Sequence, residues 1–487
     1  MPKRTPVLPD LAVNAEFDGA QLPDARLNAR LAKLVAAASL DPAASLPKMM
    51  GSEAEREAAY RFLSNERVEF DAVLGPHIEQ SVARAAASGV VLAIHDTSTF
   101  KFAGSRGNEL GYINTGARGF FVHATIAVEN NESRNCLGLL KASTLFRDAP
   151  PRKDGSKRQR NGAECAKVEN RESERWWEHV SATQGALVAK QCEVIHVADS
   201  EADNYTLLSK MVGENCRFVT RMARDRRARP GDDGPWSLVS EATDAAEFVA
   251  EREVPLSARG TTRPPRTLKK YPPRDARHAK LRFSAMLLQL KRPPYLHAPY
   301  PASLDINVVR VHEVDAPEGT EAVEWFLFTT ENVGTREEVL AVVDIYRRRW
   351  VVEEYFRAVK TGCMYEQRQL EGKHAWMIGL AITLPLAWRL LQLRNVARSD
   401  AARPATEVLT NTEVEVLRHL RPKRLSEPPT IRESMLAIAE MGGHVKNNGE
   451  PGWLVLHRGL SKLQALAEGV ELGREIATGR RDERPEM

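Results

Sequence analysis

Gly89-Val90-Val91-Leu92-Ala93-Ile94-His95-Asp96 and, further along the chain, Glu193-Val194-Ile195-His196-Val197-Ala198-Asp199 are the stretches that decide the fold. Each is a nearly continuous apolar run closed by an acid, which is how a strand buried on both faces of a sheet reads. In open α/β sheets the carboxyl ends of such strands border the crevice where ligands bind, so Asp96 and Asp199 are expected to be neighbours. An aspartate at a strand end is also an ordinary turn or cap residue. Two such acids therefore need a third element before they imply chemistry.

The run Asp344-Ile345-Tyr346-Arg347-Arg348-Arg349-Trp350-Val351-Val352-Glu353-Glu354-Tyr355-Phe356-Arg357-Ala358-Val359-Lys360 supplies it. As one helix at about 100° per residue, it carries Tyr346, Arg349, Glu353 and Lys360 along a single face. An acid is thus flanked by a phenol, a guanidinium and an ammonium. The plainer reading is a solvated helix laced with salt bridges, since such pairs are common at these spacings. Phosphodiester cleavage asks for more, because two hard cations roughly 4 Å apart need shared carboxylate oxygens. Two aspartates and one glutamate fit that demand, and Arg349 and Lys360 would hold the phosphates beside them. Glu354 and Asp203 are competing carboxylates that spacing alone does not eliminate.

Around this core the chain of 487 residues is long enough for several domains. Residues 1–75 read as helices: 25–35 has apolar residues at helical spacing, and Gly51-Ser52-Glu53 opens a second helix through Leu63. A strand is expected over Phe120 to Val128, and a polar, basic excursion over Phe146 to Glu174. From about 216 to 330 short β-rich pieces alternate with Pro- and Arg-rich turns. Helices return at Arg336, and prolines at 404, 422, 428 and 429 precede a final helical region, Glu433 to Thr478. The expected division is 1–75, a helical module; 76–395, an α/β catalytic domain interrupted by the β-rich insertion; and 396–487, a helical domain.

Composition narrows the function classes. Apolar residues make up 43% and charged residues 28%, as in ordinary globular proteins. Prolines 2, 6 and 9 interrupt any apolar core that an export signal would need. Ala375 to Trp388 is shorter than the roughly 20 residues that span a bilayer and reads as a buried helix, so no membrane partner is expected. Five cysteines without a C-x-x-C pair suit a reducing cytoplasm rather than a disulfide framework or zinc ribbon. Net charge is only +4, but Ser257 to Arg292 holds eleven Lys or Arg against one acid, Asp275, and reads as either a solvated loop or a phosphate-binding strip.

The pattern Tyr346-x-x-Arg349-x-x-x-Glu353-x-x-x-x-x-x-Lys360 resembles the Y-R-E-K signature of the bacterial insertion-sequence DDE transposases of the IS-four type. Ile94-His95-Asp96-Thr97-Ser98, Arg118-Gly119-Phe120-Phe121-Val122-His123 and Asp199-Ser200-Glu201-Ala202-Asp203 extend the resemblance almost end to end. It implies an RNase H-like core with Asp96, Asp199 and Glu353 as catalytic metal ligands, leaving Glu354 and Asp203 as neighbours. It further implies that Trp325 stacks on a base flipped out near the cleavage point, and that Arg30, Glu53, Tyr60 and Arg61 meet the transposon end. No basic residue stands at the place around Leu40 that the family fills with a lysine, although Lys33 and Lys48 flank it in sequence. The implied activity is cut-and-paste transposition: cleavage at the inverted ends through a DNA hairpin, then joining to target DNA, by a nucleoid-associated synaptic homodimer held by helices from about Glu433. An all-oxygen carboxylate site suits two Mg²⁺ ions, with Mn²⁺ able to substitute. An RNase H-like nuclease or resolvase that cuts without strand transfer is the alternative, and a helical DNA-binding regulator with purely structural acids is a second.

Overall fold

A computed structural model of the chain describes residues 13–102, 109–148, 174–256, 258–260, 272–399, 402–421, 424–445 and 450–478. Nearly all of the polar stretch expected after Phe146 lies outside these residues, as does much of 257–271.

Among the described residues the strands form one mixed sheet. The first five are β1 (Val90–Lys101), β2 (Gly119–Glu129), β3 (Cys136–Leu145), β4 (Glu193–Ala198) and β5 (Arg217–Arg221), in the spatial order β3-β2-β1-β4-β5. β1 pairs antiparallel with β2 and parallel with β4, and β4 pairs parallel with β5. Burial of every residue of β2 and of Val91 to Asp96 in β1 explains why these strands read as unbroken apolar runs.

The β-rich stretch carries this sheet onward. It contains β6 (Arg227–Arg229), β7 (Ser237–Leu238), β8 (Phe248–Leu256), β9 (Arg277–Lys291), β10 (Ser303–Val314) and β11 (Glu324–Thr329). β11 pairs with β5, and the order continues β11-β10-β9-β6-β7, with β8 on β9. Part of the basic run therefore lies in β9, a fifteen-residue strand.

Helices cover both faces. The N-terminal ones are α1 (Ala25–Leu40), α2 (Leu46–Met49), α3 (Glu53–Leu63) and α4 (Phe70–Ser88), and Ser52 caps α3 by accepting from the Glu55 N–H at 3.2 Å. α5 (Glu174–Val188), α6 (Tyr205–Gly213) and α7 (Val239–Asp244) follow. α8 (Arg336–Arg348) opens with a reciprocal capping box between Thr335 and Glu338. After it come α9 (Trp350–Arg357), α10 (Lys373–Ser399), α11 (Asn411–Leu420), α12 (Ile431–Met441) and α13 (Trp453–Ala477).

Two expectations change. The single helix over 344–360 is broken at Arg349, whose N–H bonds Tyr346 O three residues back at 3.0 Å, and it ends in a wider π-turn over Ala358–Gly362. The apolar helix is longer than the sequence suggested, running through Pro385 and Arg389 to Ser399. Its stretch Lys373–Gln392 is apolar and long enough to cross a membrane, yet 83% of it is buried inside the protein. Trp388 Nε1 and Gln392 Nε2 both donate to Cys136 O of β3, which anchors the far end of the helix to the sheet.

The N-terminal helices share this core. Leu31, Leu34, Phe62 and Leu63 join one buried cluster with Trp376, Leu380 and Leu384 of α10 and Leu460 of α13. Arg368 Nη2 donates to Pro42 O at 2.7 Å, and His457 Nε2 lies 3.0 Å from Asp41.

Candidate active site

The register of β1 and β4 pairs His95 with Ala198, so the next residues, Asp96 and Asp199, stand side by side at the inter-strand spacing of about 4.8 Å. Asp199 does follow the last residue of its strand. Asp96 does not end β1, which continues five residues past it against β2. Its polar neighbours Thr97 and Ser98 are ladder residues on an extended strand rather than a turn. Asp96 marks the point where its parallel partner stops, and that gap opens the crevice.

Both readings of Asp199 hold together. Its Oδ1 accepts from the Glu201 N–H at 2.8 Å, capping the short 3-10 turn Ser200–Ala202, while its charge acts on Asp96. Glu353, in the first turn of α9, is the second acid that acts on Asp96. Arg349 lies between the helices and pairs with Glu353 at 3.2 Å.

Asp96 is only 8% exposed. Burial first, and the adjoining Asp199 second, push its carboxyl up to about 8; Arg349 pulls the other way and Glu353 adds to the rise. Three converging carboxylates thus face one guanidinium and a more distant Lys360, an excess of negative charge in a nearly closed place. That excess fits a site for divalent cations, which hard oxygen donors favour.

The remaining members of the helix face converge less uniformly. Burial raises the Tyr346 phenol, which is 8% exposed and hydrogen-bonds Arg221 at the end of β5. Trp325, half-buried on β11, lies tilted against Tyr346 with ring centroids 5.9 Å apart. Lys360, lowered by burial, donates to Thr99 O at 2.6 Å and sits 4.8 Å over the Phe100 ring, so its ammonium is anchored to β1 just beyond Asp96.

Competing acids are occupied elsewhere. Asp203, its side chain fully buried, pairs with Arg226 at 2.6 Å and accepts the N–H groups of Ala223 and Arg224. Glu354 lines a different pocket with Glu132, Arg134, Trp350 and Asn395. Arg30 is half-exposed on α1, while Glu53 and Arg61 are exposed on α3 with local partners, Arg56 at 3.2 Å and Glu57 at 3.8 Å. These three are not among the charges acting on Asp96.

Sequence reasoning missed Arg221, a basic residue closing β5, and an imidazole cluster behind the acids. The signal was present: His95, His123 and His196 interrupt apolar strands at inward positions.

Compared with known protein families, residues 10–68 match the family described as Transposase DNA-binding, and residues 177–384 match the family described as Transposase DDE domain. The second match runs from α5 into α10 and includes Asp199 and Glu353. Asp96 lies on its N-terminal side.

Proposed function

Taking as premise that the chain is a DDE transposase, an enzyme of metal-dependent DNA cleavage and strand transfer, we propose that Asp96, Asp199 and Glu353 form its single catalytic site. The observation that carries this reading is the convergence of Asp199 and Glu353 on the buried Asp96, whose carboxyl is pushed up to about 8 by burial and by these acids against a single neighbouring guanidinium, Arg349. We read the order β3-β2-β1-β4-β5 as an RNase H-like core. The Y-R-E-K spacing supports assignment to the IS-four type.

In this reading the three carboxylates hold two Mg²⁺ ions, or Mn²⁺ in their place; when bound, such ions activate the attacking oxygen and stabilise the leaving one. The chain's own groups do the rest. Arg349 presents its guanidinium fork to a phosphate beside Glu353, and Lys360 adds charge from the β1 side. Tyr346 offers its hydroxyl to a phosphate oxygen, oriented by Arg221. Trp325 gives a half-exposed ring on which a base extruded near the cut stacks, an interaction worth roughly 1–3 kcal/mol.

Each step is then an in-line displacement at phosphorus: water frees a 3′-hydroxyl, that hydroxyl attacks the opposite strand to give a hairpin, water reopens it, and the 3′ end joins target DNA. The sequence is cut-and-paste transposition. Residues 1–75, with Arg30, Glu53 and Arg61, bind the inverted ends, residues 76–395 catalyse, and 396–487 hold a synaptic homodimer at the nucleoid. Purified protein, Mg²⁺, a fragment bearing the inverted repeats that border its gene, and a target plasmid should yield hairpins and joined products. Cleavage without joining would instead support a nuclease.

A further inference from the structure

Side chains alternate across a strand, so His95 projects from the face of β1 opposite to Asp96. There it meets His123 of β2, His196 of β4 and His179 of α5. All four are buried, and one nitrogen from each of His95, His123 and His179 lies within 4.8 Å of the other two.

The hydrogen bonds fix which nitrogens face one another. Gln184 Oε1 accepts from His196 Nε2 at 2.9 Å, which leaves His196 Nδ1 to accept from His95 Nε2 at 2.9 Å. His95 Nδ1 therefore carries a lone pair, and it points at Thr125 Oγ1, 2.9 Å away. His179 Nδ1 points at the same hydroxyl from 2.8 Å, with its Nε2 at 2.9 Å from Ser143 Oγ. His123 uses Nδ1 toward Thr97 Oγ1 at 2.8 Å, and its Nε2 is buried with no hydrogen-bond partner among the described residues.

We propose that His95 Nδ1, His179 Nδ1 and His123 Nε2 form a binding site for a borderline transition-metal ion of the zinc class, with the Thr125 hydroxyl or a water as fourth ligand. Three observations converge on it. Each ring has its other nitrogen held by an outer partner (His196, Ser143 and Thr97), the arrangement that orients metal-ligating imidazoles. His123 Nε2, buried and unsatisfied among the described residues, belongs to the same cluster. All three imidazoles are buried, with one nitrogen of each turned toward the other two and away from solvent. Lys141 and Arg175 add positive charge nearby, which disfavours a hard cation held by charge alone and favours an ion with intrinsic affinity for nitrogen. The ion would be structural, clamping α5 to the back of β1 and β2, and chemically distinct from the carboxylate site on the front.

The test is metal analysis of the full chain after loading with Zn²⁺ and gel filtration in excess Mg²⁺. One equivalent of zinc should remain, should be lost in His123→Asn, and should persist in Asp96→Asn. Co²⁺ loading should give the strong visible bands of tetrahedral nitrogen ligation, and His179→Cys, which keeps a ligand, should retain cobalt and add a thiolate charge-transfer band. Less than a tenth of an equivalent in the folded wild type, or zinc retained in folded His123→Asn, overturns the proposal. Unchanged cobalt bands in His179→Cys also overturn it.

Discussion

At the residue scale, identical carboxylates acquire different roles from their surroundings. Asp203 is neutralised by Arg226 and two backbone N–H groups, whereas Asp96 is buried among acids. Opposite outcomes follow on substitution. Asp96→Ala, Asp199→Ala and Glu353→Ala should each lower DNA cleavage by at least about a thousandfold while leaving end binding intact, measured by cleavage assay and gel shift. Asp203→Ala leaves the half-buried Arg226 without its carboxylate and should cost about 3 kcal/mol of stability, read as a lowered denaturant midpoint. In the proposed site Asp96 would also tie metal binding to pH. With its carboxyl at about 8 in the metal-free protein, an entering cation displaces a proton at neutral pH. Apparent Mn²⁺ affinity should therefore rise as pH rises from 6.5 toward 8, and calorimetry in buffers of different ionisation enthalpy should detect the released proton.

At the element scale, β1 presents Asp96 on one face and His95 on the other, and the histidines packed around His95 titrate unlike the acids around Asp96. Burial lowers His179 and His196 from 6.5 to about 3. Because the folded values are depressed, the unfolded chain takes up protons first as pH falls. The stabilisation is complete above about pH 6.5 and is lost toward pH 3, at up to about 1.4 kcal/mol per unit for each group. The thermal midpoint should fall between pH 7 and pH 5, and His196→Asn, less stable at pH 7, should show a shallower fall. The strands carrying Asp96 and Asp199 were legible because burial on both faces leaves an apolar run in the sequence. The break at Arg349 was not, since it arises from a backbone bond three residues back, from the Arg349 N–H to Tyr346 O, that helical spacing does not mark. Nor was the extent of β1, because Thr97, Ser98 and Thr99 look like a turn until β2 pairs with them.

At the scale of the whole molecule, parts that look separable in sequence share one interior. The N-terminal helices, α10 and α13 contribute to a single cluster, and Asp41 meets His457 between the first and last of these. Linker prolines marked boundaries in composition, yet long-range packing, which no local pattern encodes, joins what they separate. Trp453, 5% exposed beneath the Arg394 guanidinium, is part of that joint. Trp453→Ala should cost about 3–5 kcal/mol and lower unfolding of the whole chain as one transition, followed by tryptophan fluorescence and circular dichroism together. The β-rich stretch likewise continues the same sheet, since β5 pairs directly with β4.

The convergence of the three acids on one catalytic metal site is tested most directly by anomalous diffraction from crystals soaked in Mn²⁺. Manganese density should appear bounded by Asp96, Asp199 and Glu353, and should be lost in Asp199→Ala. Manganese bound instead by Asp203 or Glu354, or density that persists in Asp199→Ala, would contradict it.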